Sequence, residues 1–257
     1  MAAAREPAGF WPEILAGACC ALLFALWRVG YPATPAAMIA PLAAFLLVGA
    51  GIWQRRIRLV LALRESVFLP QSRYKHWFTG RISGAILAVV EAGAITLGVF
   101  HFALGAHGAE LLLAAALGLC TLAAVAALRR IAARELRPEF AVSASAWVAA
   151  GVALPFCLVH FWMQQNILPP PAYLDAGSFA QVLNAALQEL PARRDGMIEA
   201  LSALQLLEAA IRWMLKSLNR IWGGAALLFV YNALIFMAIG RFFGDIATTF
   251  NLVRLRA

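Results

Sequence analysis

The sequence predicts an all-α integral membrane protein, a polytopic bundle of about six transmembrane helices with a small helical extracytoplasmic cap between spans five and six. Three observations predict it. Of the 257 residues, 63% are apolar and only 13% are charged. Six apolar stretches have spanning length, and the Lys and Arg residues gather on one side of them. A soluble domain carries roughly 25% charged residues, because its surface must meet water. This chain lacks that surface, and its mean hydropathy of +0.79 suits hydrocarbon as the solvent.

The spans are expected at 10–27, 35–53, 82–104, 109–128, 140–163 and 221–239. A bilayer core of about 30 Å needs roughly 20 helical residues at 1.5 Å each. Each span must be a helix, since a segment alone in lipid has to satisfy its own backbone hydrogen bonds. Small residues before Cys19 resemble a lipoprotein cleavage site. The apolar run continues to Trp27, however, whereas a cleavable leader should end at its cut. The first span is therefore expected to remain attached. The chain divides into spans one to five (1–164, with a basic loop at 54–81), the cap (165–220), and span six with its tail (221–257).

Charge sets the orientation. The loop 54–81 holds Arg55, Arg56, Arg58, Arg64, Arg73, Lys75 and Arg81 against Glu65 alone. Arg129, Arg130, Arg134 and Arg137 link spans four and five, Arg5 precedes span one, and Arg241, Arg254 and Arg256 follow span six. With six spans all of these share a side, which the positive-inside rule makes the cytoplasm. Both termini are then cytoplasmic, in a bacterial-type inner membrane. The charge-balanced segment 165–220 falls outside. Arg55, Arg56, Arg58, Arg73, Lys75 and Arg81 are expected to form a cytoplasmic basic anchor. Anionic headgroups beside such a face account for the net charge of +8 without a nucleic-acid partner. Trp11, Trp27, Trp53, Trp77, Trp162 and Trp222 fall near span ends, where amphipathic rings favour the interface.

The cap opens on Pro169-Pro170-Pro171, which cannot continue a helix. Ser178 is placed to cap a short helix that runs to about Glu189 and ends at Pro191. Beyond it, Met197, Leu201, Leu204, Leu207, Ile211, Met214 and Leu218 recur at helical spacing. Glu208 and Arg212 form an i,i+4 pair on that helix. Leu201, Leu204, Leu207, Ile211 and Met214 are expected to be an interaction stripe, and the helix is expected to feed into span six. About 55 residues are too few for a large independent core.

Candidate chemistry is sparse. Glu91 lies near the middle of span three, where an intramembrane carboxyl suggests a functional site by default. It shares a face with Gly84, Ala88, Ile95 and Gly98, small residues that admit a close neighbouring helix. A buried, neutral Glu91 is expected, either bonded to a neighbouring helix or handling protons or ions. Asn232 is a second polar residue, in span six. His101, His107 and His160 sit at one membrane depth and are possible ligands for haem or a metal. They show no recognised haem or zinc spacing, and interfacial anchoring is the simpler reading. Cys19, Cys20, Cys120 and Cys157 form no Cys-x-x-Cys and are expected as buried free thiols. Phosphate-loop, zinc-protease and serine-hydrolase motifs are absent, so neither catalysis nor a cofactor is expected.

The function expected is therefore that of a non-enzymatic inner-membrane subunit of a larger envelope complex for secretion, conjugation or transport. Its partners would be the lipid bilayer and other membrane subunits or a second copy of itself. One alternative is a transporter or channel component that uses Glu91. Another is a membrane redox protein with outer-side histidine ligands.

Overall fold

The computed structural model describes residues 11–67, 72, 81–135, 138–193, 195–217 and 222–254. Eight α-helices occur among them: α1 (Trp11–Ala25), α2 (Ile39–Val67), α3 (Arg81–Gly105), α4 (Gly108–Glu135), α5 (Pro138–Asn166), α6 (Phe179–Gln188), α7 (Gly196–Ser217) and α8 (Trp222–Arg254). No strand is present among the described residues. Six segments are long and apolar enough to cross a membrane: Trp11–Gly30, Pro35–Arg64, Arg81–Gly105, Gly108–Ile131, Ala144–Asn166 and Ala225–Asn251. The number matches the sequence expectation. A π-helical turn, Leu26–Gly30, completes the first, and a 3-10 turn, Pro35–Met38, opens the second.

Helix α8 is the axis of the bundle and packs against α1, α2, α3, α4, α5 and α7. Glycine makes the closest crossings possible. A Cβ on Gly240 would lie 2.8 Å from the Ala149 carbonyl oxygen of α5, and one on Gly51 would run into the Asp245 carbonyl. In hydrocarbon, such close backbone approach supplies the packing that a hydrophobic drive supplies in water. The small face of α3 behaves as its spacing predicts. Gly84, Ala88, Ile95 and Gly98 are all buried, with Gly84 against α2 and Gly98 against Ile235 and Ala238 of α8.

An aromatic cluster joins α1, its π turn, α3 and α8. Phe100 stacks on Phe24 at 6.5 Å and meets Phe242 edge-on at 6.3 Å. Trp27 is fully buried there, stacked on Tyr31 at 3.9 Å, with its indole N–H donating to the Phe100 carbonyl at 2.9 Å. It is therefore a core residue and not an interfacial anchor, its indole N–H satisfied inside the bundle. Trp11, Trp53 and Trp162 are exposed as anchors should be, while Trp77 lies outside the described residues.

Two boundaries differ from expectation. Helix α2 continues unbroken to Val67, past the expected end at 53, so its basic segment is a helical extension of span two. Helix α8 runs through Arg241 to Arg254, well past 239. The reason is charge compensation: Arg241 pairs with Glu91 at 2.6 Å and Asp245 at 3.0 Å, so its charge does not end the span.

The segment between spans five and six folds over one end of the bundle. Ser178 and Gln181 form the capping box of α6. Asp195 accepts the Ile198 N–H at 2.9 Å and so caps α7. Asp195 also accepts the Tyr31 hydroxyl at 3.0 Å, while Arg193 donates to the Tyr31 carbonyl at 2.5 Å. Burial, with the Asp195 bond, pushes the Tyr31 phenol up to about 12. The turn after α1 and the α6–α7 segment therefore share one end of the bundle. Helix α7 does not extend α8 in a straight line. Residues 208 and 231 would be about 35 Å apart on one continuous helix, yet the Tyr231 hydroxyl donates to Glu208 at 3.2 Å. The two helices lie side by side.

Candidate functional site: a polar chamber under α7

The buried face of α7 carries Ile198, Leu201, Gln205 and Ala209. This corrects the expected stripe. Leu201 is fully buried and Leu204 and Ile211 are half-buried, but Leu207 is 51% exposed and Met214 is also exposed. Helix α7 is apolar on more than one side, so periodicity alone does not choose its inner face. Polar partners on α3 and α8 choose it, since they draw Glu208 and Arg212 inward.

Glu208 is the knot. One carboxylate oxygen accepts from Arg212 Nε at 2.8 Å. The other lies 3.0 Å from His101 Nε2 of α3 and accepts the Tyr231 hydroxyl of α8. Burial alone would raise this carboxyl, but the His101 bond and the Arg212 charge prevail and hold it at about 2. Arg212 is raised in turn: burial opposes its charge, and Glu208 more than compensates. One residue therefore ties three helices together.

A second polar group stands beside it. Glu110 lies in the first turn of α4, where one oxygen accepts the His107 backbone N–H at 2.8 Å, half of a capping box. Its other oxygen lies 2.7 Å from His160 Nε2 of α5. Gln164 follows one turn on, 3.4 Å from that nitrogen, and its amide oxygen accepts from Asn232 at 2.7 Å. This chain joins α4, α5 and α8 near their ends.

Between the two groups lies a cavity of about 700 Å³. His101, Glu110, His160, Tyr173, Glu208 and Asn232 are among its lining, with Glu189 and Lys216 at exposed positions of the rim. Its size falls in the range of small-molecule sites. Among the described residues, the buried Tyr173 hydroxyl has no hydrogen-bond partner, and neither has His160 Nδ1. Burial first, then the Glu208 charge, raises both the Tyr173 phenol and the Glu189 carboxyl.

The structure thus gathers His101, His107, His160 and Asn232, named from sequence, around one chamber. His101 and His160 are buried against carboxylates, not set as rings at the interface, and His107 is exposed at the mouth. No cluster of three or more His, Cys, Asp or Glu residues suited to a metal ion occurs among the described residues. All four cysteines are free, with Cys120 exposed on the bundle surface instead of buried. Sequence reasoning missed Glu110, Gln164 and Tyr173. Glu110, three residues after His107 at a helix start, carried a capping signal that would have found it.

Glu91 belongs elsewhere: it does bond to neighbouring helices, but to their arginines and not as the neutral carboxyl expected. It pairs with Arg56 at 2.8 Å, Arg241 at 2.6 Å and Arg55 at 3.7 Å. Arg55 also pairs with Asp245 at 2.5 Å, their side chains 8% and 2% exposed. Arg55 and Arg56 are therefore internal clasps between α2, α3 and α8, not headgroup anchors. Arg58 is half-buried, Arg81 is exposed at the start of α3, and Arg73 and Lys75 lie outside the described residues. A further clasp, Glu13 with Arg129, joins α1 to α4. Comparison with protein-family models, curated proteins and solved structures finds no match to this chain.

Proposed function

We propose that this multi-pass membrane protein is a non-enzymatic subunit of a larger assembly in a bacterial-type inner membrane, serving secretion, conjugation or transport. Both termini are placed in the cytoplasm and the α6–α7 cap outside, on the charge bias of the loops. The observation that carries the reading is the outer face of α7. Leu207 and Met214, seven residues apart on one helix face, stay exposed on a helix outside the six apolar spans. An apolar face held there by a bundle-anchored helix suits a partner subunit or a second copy.

Extraction from native membranes in mild detergent, followed by native mass spectrometry, tests this. The chain should run with a protein partner, and Leu207→Asp should release that partner while leaving the chain's own melting temperature within about 1 °C. The charge lands on an exposed position, where substitutions cost within about 0.5 kcal/mol. A chain that runs as a lone monomer with lipid and detergent would end the subunit reading.

A transporter component is the second reading, favoured by the chamber. Glu91 is poorly placed as its carrier group, since three guanidinium groups engage it.

A further inference from the structure

Three polar side chains of the chamber keep atoms that no neighbour among the described residues satisfies. Gln205 of α7 is 9% exposed and lines the cavity, yet its amide has no hydrogen-bond partner. Arg212, two turns further along the same helix, gives only its Nε to Glu208, and its two terminal nitrogens bond to nothing. Asn232 of α8, 3% exposed, donates its amide N–H to Gln164 and leaves its amide oxygen without a donor. All three residues line the cavity, and unlike the Tyr173 hydroxyl and His160 Nδ1 these atoms are not sealed off.

Charge narrows what could satisfy them. Three carboxylates, Glu110, Glu189 and Glu208, line the cavity against two cations, Arg212 and Lys216. A carboxylate or phosphate would enter against that excess. An ammonium finds no bare carboxylate inside, because both oxygens of Glu110 and both of Glu208 already engage protein partners. Glu189 is exposed at the rim. The open atoms are themselves of both kinds: Arg212 donates, the Asn232 oxygen accepts, and the Gln205 amide does both.

The geometry points to a binding site for an uncharged, hydroxyl-rich solute of sugar size, recognised by Gln205, Arg212 and Asn232. Each hydroxyl both donates and accepts, so such a solute matches donors and acceptors together without adding charge. The cavity of about 700 Å³ lies in the range of small-molecule sites. The position of Gln205 supports the assignment. It stands between Leu201 and Ala209 on the buried face of α7, where packing alone would place an apolar side chain. This inference does not depend on the assembly reading, because the chamber is built from one chain.

Saturation-transfer NMR titration of the full chain in phospholipid nanodiscs, free of sugar-headed detergent, tests it. The probes are glucose and sucrose, with glucosamine and glucuronate as charged analogues. Glucose or sucrose should bind saturably at pH 7, and more tightly than either charged analogue. Gln205→Met keeps the side-chain length, removes the amide and leaves the Glu208 knot intact. It should weaken that binding about fivefold, the scale of one neutral hydrogen bond. Gln205→Glu should turn the preference towards glucosamine, because it places an unpaired carboxylate in the cavity. Absence of saturable glucose and sucrose binding, tighter binding of a charged analogue by the unaltered chain, or unchanged selectivity in Gln205→Glu would overturn the proposal, as would unchanged affinity in Gln205→Met.

Discussion

Asp245→Ala is expected to lower the stability of the bundle by about 3–5 kcal/mol, the usual cost of removing one partner from a buried ion pair. Asp245 is 2% exposed and receives Arg55 from α2 and Arg241 from its own helix. Without it, the buried Arg55 guanidinium retains, among the described residues, only Glu91 as an ion-pair partner, at 3.7 Å. The loss should appear as a lower melting temperature in detergent and as faster unfolding in SDS. The Asp245→Leu, Arg55→Met double variant should recover most of the loss, because a charge pair replaced by apolar groups of similar volume is often neutral or better. A double variant no better than Asp245→Ala would mean that the network specifies the helix arrangement beyond its pairwise energy.

Glu208→Ala should cost about 3 kcal/mol, at the lower end because Glu208 and Arg212 are 19% and 15% exposed. It leaves Arg212 without its carboxylate and deprives His101 and Tyr231 of their partner. The loss should be local, freeing α6–α7 to proteolysis while the spans stay folded. Glu208→Gln retains two acceptor contacts and should fall between. The sign of the pH dependence follows from the depressed carboxyl. Its contribution is complete above the ordinary glutamate range near 4.3, and it is lost as the pH falls from there through about 2. Proteolytic sensitivity of the 167–195 segment against pH would register it, and Glu208→Gln should flatten the curve.

The span count, the small face of α3 and the capped α6 were legible in the sequence because each rests on a local pattern. Hydropathy, i,i+4 spacing and a capping box are all read within one segment. The clasps were not legible. Arg55, Arg56 and Arg241 look like the edges of spans, since an isolated arginine belongs at the interface. Only the approach of three helices reveals that Glu91 and Asp245 lie opposite them. The inner face of α7 failed for a related reason. Leu207 and Leu201 are equally good apolar positions in sequence, and the choice between them is made by His101 and Tyr231, more than 100 residues before Glu208 and 23 after it. The three histidines could be picked out from the sequence as a group, but their carboxylate partners, on α4 and α7, required the fold.

The central claim is that the α1–α2 turn, the α3–α4 turn and the α6–α7 segment lie together at one end of a six-span bundle, and that the α2–α3 connection lies at the other. Single cysteines placed at Ala33, His107, Ala192 and Ser72, with Cys19, Cys20, Cys120 and Cys157 replaced, test it directly through labelling of intact cells by a membrane-impermeant maleimide. Ala33→Cys, His107→Cys and Ala192→Cys should react from outside, and Ser72→Cys only after the membrane is opened. Labelling of Ser72→Cys together with Ala192→Cys in intact cells, or of Ala33→Cys and Ala192→Cys from opposite sides, would contradict it.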